Sequence, residues 1–243
     1  MSVRDYLLAF ADDEHLMGQQ HTEWIGVAPF LEEDLAFSSI GQDELGHAVM
    51  LYEIVCELDG VEPTDAAIDA LAYRPAQDYR SCAFTEYVTT DWAEALVRHW
   101  IYDTFEELRW GLVTESSLAS LASASVRAQR EEIYHRRHAQ ALVGALISTP
   151  ASDELQSALE AISPLIPSLF AATIGENDVL ADGVASAPLA SMAGQLQGTI
   201  QASFGQSISI DIGPAGRLER SAPFGPLLSR MREVLDLDPQ AVW

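Results

Sequence analysis

Lysine is absent from this chain of 243 residues: its thirteen basic side chains are all arginine, set against 37 aspartates and glutamates for a net charge of −24. A nucleic-acid partner needs a basic face, so that class of function is excluded. Cysteine is nearly absent too. Cys56 and Cys82 are too few for a disulfide framework and read as reduced thiols in a cytoplasmic protein. No apolar run reaches membrane-spanning length, so no membrane partner is expected, and Asp5, Asp12, Asp13 and Glu14 near the start are incompatible with a signal peptide. Strand-like alternation is confined to one short stretch, Ser207 to Ile212.

What is present is helical periodicity. Apolar residues recur at three- and four-residue spacing over Ser2 to Ile25, Phe30 to Leu58, Thr89 to Glu115 and Leu118 to Leu146, which predicts four bundle helices. Gly26-Val27-Ala28-Pro29 would end the first and begin the second. Asp59 to Ala83, with Gly60, Pro63 and Pro75, reads as a long crossover carrying a short helix. Beyond Pro150, Asp153 to Thr173, Pro188 to Phe204 and Phe224 to Leu235 read as further helices. The expectation is an all-α, ferritin-like four-helix bundle in one domain spanning 1–243, with the bundle in 1–149 and a helical extension in 150–243.

One pattern occurs twice. Glu14 is followed by Glu44-x-x-His47, and Asp103 by Glu132-x-x-His135, with 30 residues from Glu14 to Glu44 and 29 from Asp103 to Glu132. Residues i and i+3 share a helix face, so each Glu-x-x-His points two ligands the same way. Pro29 and Ser117 fall at the midpoints of the two intervals, and two antiparallel hairpins would bring every candidate to one height. Four carboxylates and two imidazoles are the inventory with which a helical bundle holds a pair of oxygen-activating metals, and hard oxygens beside imidazoles suit iron or manganese. Without cysteine ligands, a structural zinc site is disfavoured.

The neighbours extend the pattern. Asp43 precedes Glu44 and Glu131 precedes Glu132, so each half offers an acid to accept the second ring N–H of a histidine on the facing helix. Glu106 and Glu107, one turn beyond Asp103, compete with it for the ligand role. His15, His21, His99 and His138 have no repeat relation and read as surface or packing residues, and Phe10, Trp100, Phe105 and Trp110, near the ligand levels, read as core, with the lining of a substrate pocket as the alternative.

At these residues the chain resembles the phenylacetic acid catabolic protein family, the bundle subunits of multicomponent phenylacetyl-CoA epoxidases. Gln42-Asp43-Glu44-Leu45-Gly46-His47 is similar to the second bundle helix of the catalytic subunit. Trp24-Ile25 with Ala28-Pro29, Trp100-Ile101-Tyr102-Asp103 and Glu131-Glu132-Ile133-Tyr134-His135 add to the likeness, which covers about the first 150 residues. The length and the ending, Phe224-Gly225-Pro226-Leu227-Leu228 with Trp243, are more similar to the companion structural subunit, whose members usually lack the full ligand set.

The resemblance implies two iron ions held by Glu14, Glu44, His47, Asp103, Glu132 and His135, with electrons from a separate reductase carrying flavin and an iron–sulfur cluster. It also implies an aromatic acyl-CoA substrate that receives one oxygen atom, and a homologous bundle subunit or a second copy as partner. Three functions follow as alternatives: a di-iron oxygenase, a non-catalytic companion subunit of such a complex, or a ferroxidase or iron store.

Overall fold

The computed structural model describes residues 2–213 and 217–238. Trp243, part of the C-terminal likeness, lies outside the described residues. Among the described residues the secondary structure is entirely helical. Helix α1 (Ser2–Thr22) packs along α2 (Leu31–Asp59). The crossover carries α3 (Asp65–Ala72), a turn of 3₁₀ helix at Ala76–Asp78 and α4 (Ala83–Glu86). Then α5 (Trp92–Gly111) packs along α6 (Ala119–Leu146), and α2 against α6.

Local chemistry sets these boundaries. In the α1–α2 turn the Asp34 carboxylate accepts the amides of Gly26 and Ala28, tying the loop to the first turn of α2. Glu32, Glu33 and Asp34 also place negative charge at the positive end of the α2 dipole. Helix α2 stops at Gly60, whose φ of +69° a side chain would resist and whose amide reaches the free carbonyls of Cys56 and Glu57. Asp91 caps α5 by accepting the amide of Glu94.

Helices α1 and α2 approach so closely that a Cβ on Gly18 would lie 2.8 Å from Leu45 Cγ and 2.9 Å from the Gly41 carbonyl oxygen. Gly41 meets the Gly18 carbonyl in return, at 3.0 Å. Two glycines facing each other thus set how near Glu14 comes to Glu44 and His47.

The C-terminal part departs from the expected helices. The predicted Asp153 to Thr173 helix is α7 (Ser152–Ile162), continued as 3₁₀ turns over Ser163–Phe170. Pro164 and Pro167, which lack the N–H an α-helix needs, account for the change. Helix α8 (Glu176–Ala181) is an additional element, and the Pro188 to Phe204 helix is a 3₁₀ turn at Leu189–Met192 leading into α9 (Ala193–Phe204). The terminal helix breaks at Arg232 into α10 (Phe224–Met231) and α11 (Glu233–Leu237). Ser207 to Ile212 forms no strand; Ile208 and Ile210 pack on the core, and the Gln197 amide donates to the Ile208 carbonyl.

Helices α7 and α9 cover α5 through Leu155, Leu159, Ile162, Leu196 and Phe204, with Trp100 edge-on to Phe204 and Phe105 edge-on to Phe170. Phe10 and Trp110 pack with Leu51, Tyr52 and Leu121 in a second apolar cluster of α1, α2, α5 and α6. No helix among the described residues is long and apolar enough to cross a membrane.

Candidate metal centre

Four helices each bring acid or imidazole to one buried region: Glu14 from α1, Glu44 and His47 from α2, Asp103 and Glu106 from α5, Glu132 and His135 from α6. All seven side chains are excluded from solvent. Burying so many ionisable groups together is costly unless each finds a counter-charge.

Four of them meet directly. His47 Nδ1 lies 3.4 Å from Glu14 Oε2 and 3.5 Å from Glu132 Oε1, and His135 Nδ1 lies 3.4 Å from Glu132 Oε1. The rings of His47 and His135 stand 6.3 Å apart between centroids. The remote ring nitrogens are engaged elsewhere. His47 Nε2 lies 2.8 Å from Glu131 Oε2 on α6, and His135 Nε2 lies 3.2 Å from Asp43 Oδ2 on α2. The carboxylates accept, so each Nε2 carries a proton and each Nδ1 is the ligand-capable atom facing inward.

Glu44 and Asp103 are turned to other partners. Glu44 Oε2 lies 2.6 Å from His21 Nδ1, and Asp103 Oδ2 lies 3.1 Å from His99 Nδ1. As the side chains stand, no group of three or more His, Cys, Asp or Glu among the described residues is arranged to hold a metal ion. Glu44 and His21 share a hydrogen bond whose direction follows the His21 tautomer, whereas His99 approaches Asp103 at ion-pair distance without hydrogen-bond geometry.

The donor chemistry nonetheless fits a pair of divalent cations. Glu14 Oε2, both oxygens of Glu132 and of Asp103, Glu106 Oε2 and the Nδ1 atoms of His47 and His135 are all buried without a hydrogen-bond partner. These are hard oxygens and imidazole nitrogens, the set that suits iron or manganese.

Protonation follows from crowding. Burial, then the charges of Glu132 and Glu44, push the Glu14 carboxyl well above its ordinary value, although its hydrogen bond with Glu106 works the other way. Burial and Asp103 do the same to Glu44, and burial and Glu14 to Glu106. Burial disfavours a charged His135, but the Glu132 carboxylate and the bond to Asp43 prevail and hold it well above the usual histidine range. Glu131 is lowered, first by its bond to His47.

The site also contains residues outside the repeated pattern. His21 and His99, which read as packing or surface residues from sequence, are buried within the polar cluster, their rings edge to face at 5.0 Å. The signal is present: His21 lies two turns after Glu14, and His99 one turn before Asp103, on the same helix faces. The competition between Glu106 and Glu107 resolves in favour of Glu106, which is buried beside Glu14, whereas Glu107 pairs with Arg136 at 2.8 Å. Trp110 is core, as expected, yet its indole N–H also donates to Glu14 Oε1 at 3.2 Å.

Beside this cluster lies a second buried charge network. Asp13, next to Glu14, receives Arg109 at 2.9 Å and Arg217 from the far end of the chain, and the Cys82 amide and Thr85 hydroxyl donate to its other oxygen. Arg109 lies over the Phe10 ring at 3.9 Å and 3.4 Å from Glu106. Burial opposes the Asp13 charge, but the two arginines hold its carboxyl below the ordinary value.

The fold and the cluster define an all-helical protein that concentrates paired carboxylates and histidines in its interior. Residues 2–243 match the phenylacetic acid catabolic protein family, and the chain belongs to that family. It is 31% identical, over 133 residues, to one of the subunits of 1,2-phenylacetyl-CoA epoxidase of Escherichia coli (strain K12). That alignment covers 54% of this chain and 52% of the relative, so the likeness spans about half of each.

Proposed function

We propose that this chain is a ferritin-like, two-metal carboxylate subunit of a phenylacetyl-CoA epoxidase-type oxygenase, with residues 1–149 forming the metal-bearing bundle and 150–243 packed against it in the same domain. The observation that carries the reading is the reciprocal pair of His47 with Glu131 and His135 with Asp43, which leaves both Nδ1 atoms bare among buried carboxylates. Glu14, Glu44, His47, Asp103, Glu132 and His135 would hold the ions, with Glu106 beside Asp103 on the same face of α5. A bound iron pair would supply two-electron reduction of dioxygen, with electrons from a separate reductase; one oxygen atom would go to an aromatic acyl-CoA and the other to water.

The chain's own contribution is positioning and exclusion. Glu131 and Asp43 fix the tautomers and ring planes of the two histidines. Trp110 orients Glu14 from behind, and the apolar layers of α5, α7 and α9 keep bulk water from the carboxylates.

A second reading, a companion role without catalysis, is favoured by the turn of Glu44 to His21 and Asp103 to His99, which takes two candidate ligands away from the centre. Metal content after anaerobic ferrous reconstitution separates the two. About two irons per chain, lost in a His47→Ala, His135→Ala double variant, support the first; a metal-free parent leaves the companion role.

A further inference from the structure

Arginine is distributed unevenly over the surface. Of the exposed arginines among the described residues, Arg127 pairs with Glu131 and Arg230 with Glu23, whereas Arg130 and Arg137 on α6 meet no acid. In a chain with 37 acids and 13 arginines, a cation left without an acid is the less expected case. Arg130, Tyr134 and Arg137 stand at i, i+4 and i+7, on one face of the helix, with Val126 and Ile133 beside them. Tyr134 is 58% exposed, and no exposed residue of α6 is acidic.

The opposite chemistry stands at the other end of the same two-helix face. Helices α2 and α6 run antiparallel, since Glu33 meets His138 and Gly46 lies beside Arg127. The start of α2 therefore neighbours the end of α6, and there Phe30, Leu31 and Leu35 are 62%, 68% and 64% exposed. Phe30 borders a groove of about 660 Å³ lined also by Leu142, Leu146 and Leu155. Asp153 and Glu154, in the first turn of α7, line it too, and Glu32 stands next to Leu31. All three acids are exposed and meet no cation among the described residues.

Each end lacks what the other offers. Clustered exposed apolar side chains mark protein contacts; here one cluster carries unpaired arginine and the other unpaired carboxylate. The rise of α6 from Arg130 to Leu142 separates them by roughly 18 Å.

We propose that this face binds a second copy of the chain in a twofold dimer, with Arg130, Tyr134 and Arg137 of each copy seated against Phe30, Leu31 and the acid-bearing groove of the other. A twofold axis between the two ends makes both contacts at once and leaves neither open to a third copy. A partner with one sign of charge would satisfy one end and be repelled by the other, so the second copy fits the whole face. Two chains of charge −24 also repel at a distance, and Arg130 and Arg137 supply cations where they meet.

The proposal does not rest on the oxygenase reading. It bears on the buried cluster because Asp43 and Glu131, the acids at His135 and His47, lie at the α2–α6 seam with side chains 30% and 25% exposed. The second copy would withdraw them from water.

Sedimentation velocity on the full-length chain at micromolar concentration tests this. The parent is expected to run as a dimer, at twice the 26.5 kDa of the chain. Arg130→Glu with Arg137→Glu should weaken association about a hundredfold or more, as should Glu32→Arg with Glu154→Arg, because each sets like charges together. Joining all four changes restores opposite signs and should bring the dimer back, which damage to the fold would not produce; circular dichroism checks helicity in each variant. A parent that sediments as a monomer overturns the proposal and leaves the face to a different protein. A dimer that neither charge reversal weakens overturns it as well, since the contact then lies elsewhere. Iron content of the same samples reads the oxygenase proposal independently.

Discussion

His47 and Glu131 are 84 residues apart in sequence and 2.8 Å apart in space, joined from α2 to α6 through the ring nitrogen that faces away from the carboxylate cluster. Glu131 also accepts Arg127 Nε at 3.1 Å, so the acid is held from both sides. Its removal should leave His47 free to rotate or change tautomer. Glu131→Ala is expected to weaken metal binding about 10- to 100-fold, and Asp43→Ala similarly through His135. Chelator competition measures this, and undiminished affinity in both variants would remove these acids from any role in tuning the histidines.

Metal binding should release protons. His135 is held above the usual histidine range, and burial holds Glu14, Glu44 and Glu106 above the carboxylate range, so ligand atoms carry protons that a cation must displace. Affinity is therefore expected to fall on acidification. Calorimetry in buffers of different ionisation enthalpy counts the protons directly, and a heat independent of buffer would contradict the protonation described here.

The same carboxyls set the pH dependence of the metal-free fold. Glu44 takes a proton more readily when folded than when unfolded, so its stabilising contribution is complete below about 4.5 and is lost as pH climbs through the raised folded value. Glu44→Gln carries no such charge. It should match the parent near the acid end and exceed it at pH 8, each tenfold difference in proton affinity amounting to about 1.4 kcal/mol. Burial depresses His21, whose contribution runs the other way: present above its unfolded range and lost as pH falls. Urea midpoints across pH would show the divergence, and parallel curves for parent and variant would refute it.

Arg217 ties the C-terminal segment to α1 through Asp13, in a pair with almost no solvent contact. Arg217→Met leaves Asp13 with Arg109 alone and is expected to cost about 3–5 kcal/mol. Adding Asp13→Asn should recover part of the loss, because the uncompensated charge is gone. A loss below about 1 kcal/mol in denaturant unfolding would put this contact with the solvent-screened pairs.

The four long helices and the repeated Glu-x-x-His were legible because each is written at a fixed period within one element. The acids beside the glutamates were legible for the same reason, since a helix that presents Glu44 inward carries Asp43 toward its neighbour. His21 and His99 escaped because their role depends on which rotamers Glu44 and Asp103 adopt, which sequence spacing does not state. The His99–His138 contact escaped because it joins α5 to α6 outside the repeat. Ser207 to Ile212 misled in another way: its alternation reflects two isoleucines resting on the core, with no partner strand among the described residues.

Each hairpin holds the orienting acid for the other's histidine: Asp43 sits on α2 for His135 of α6, and Glu131 on α6 for His47 of α2. Neither half alone supplies the acid that engages the outer nitrogen of its own histidine. In the proposed centre, coordination would then be a checkpoint passed after the halves have docked, and a cation arriving early would find loose, interchangeable donors. Metal selectivity of the proposed centre would belong to the assembled pair of halves, open to retuning from the outer acids while the candidate ligands themselves stay fixed.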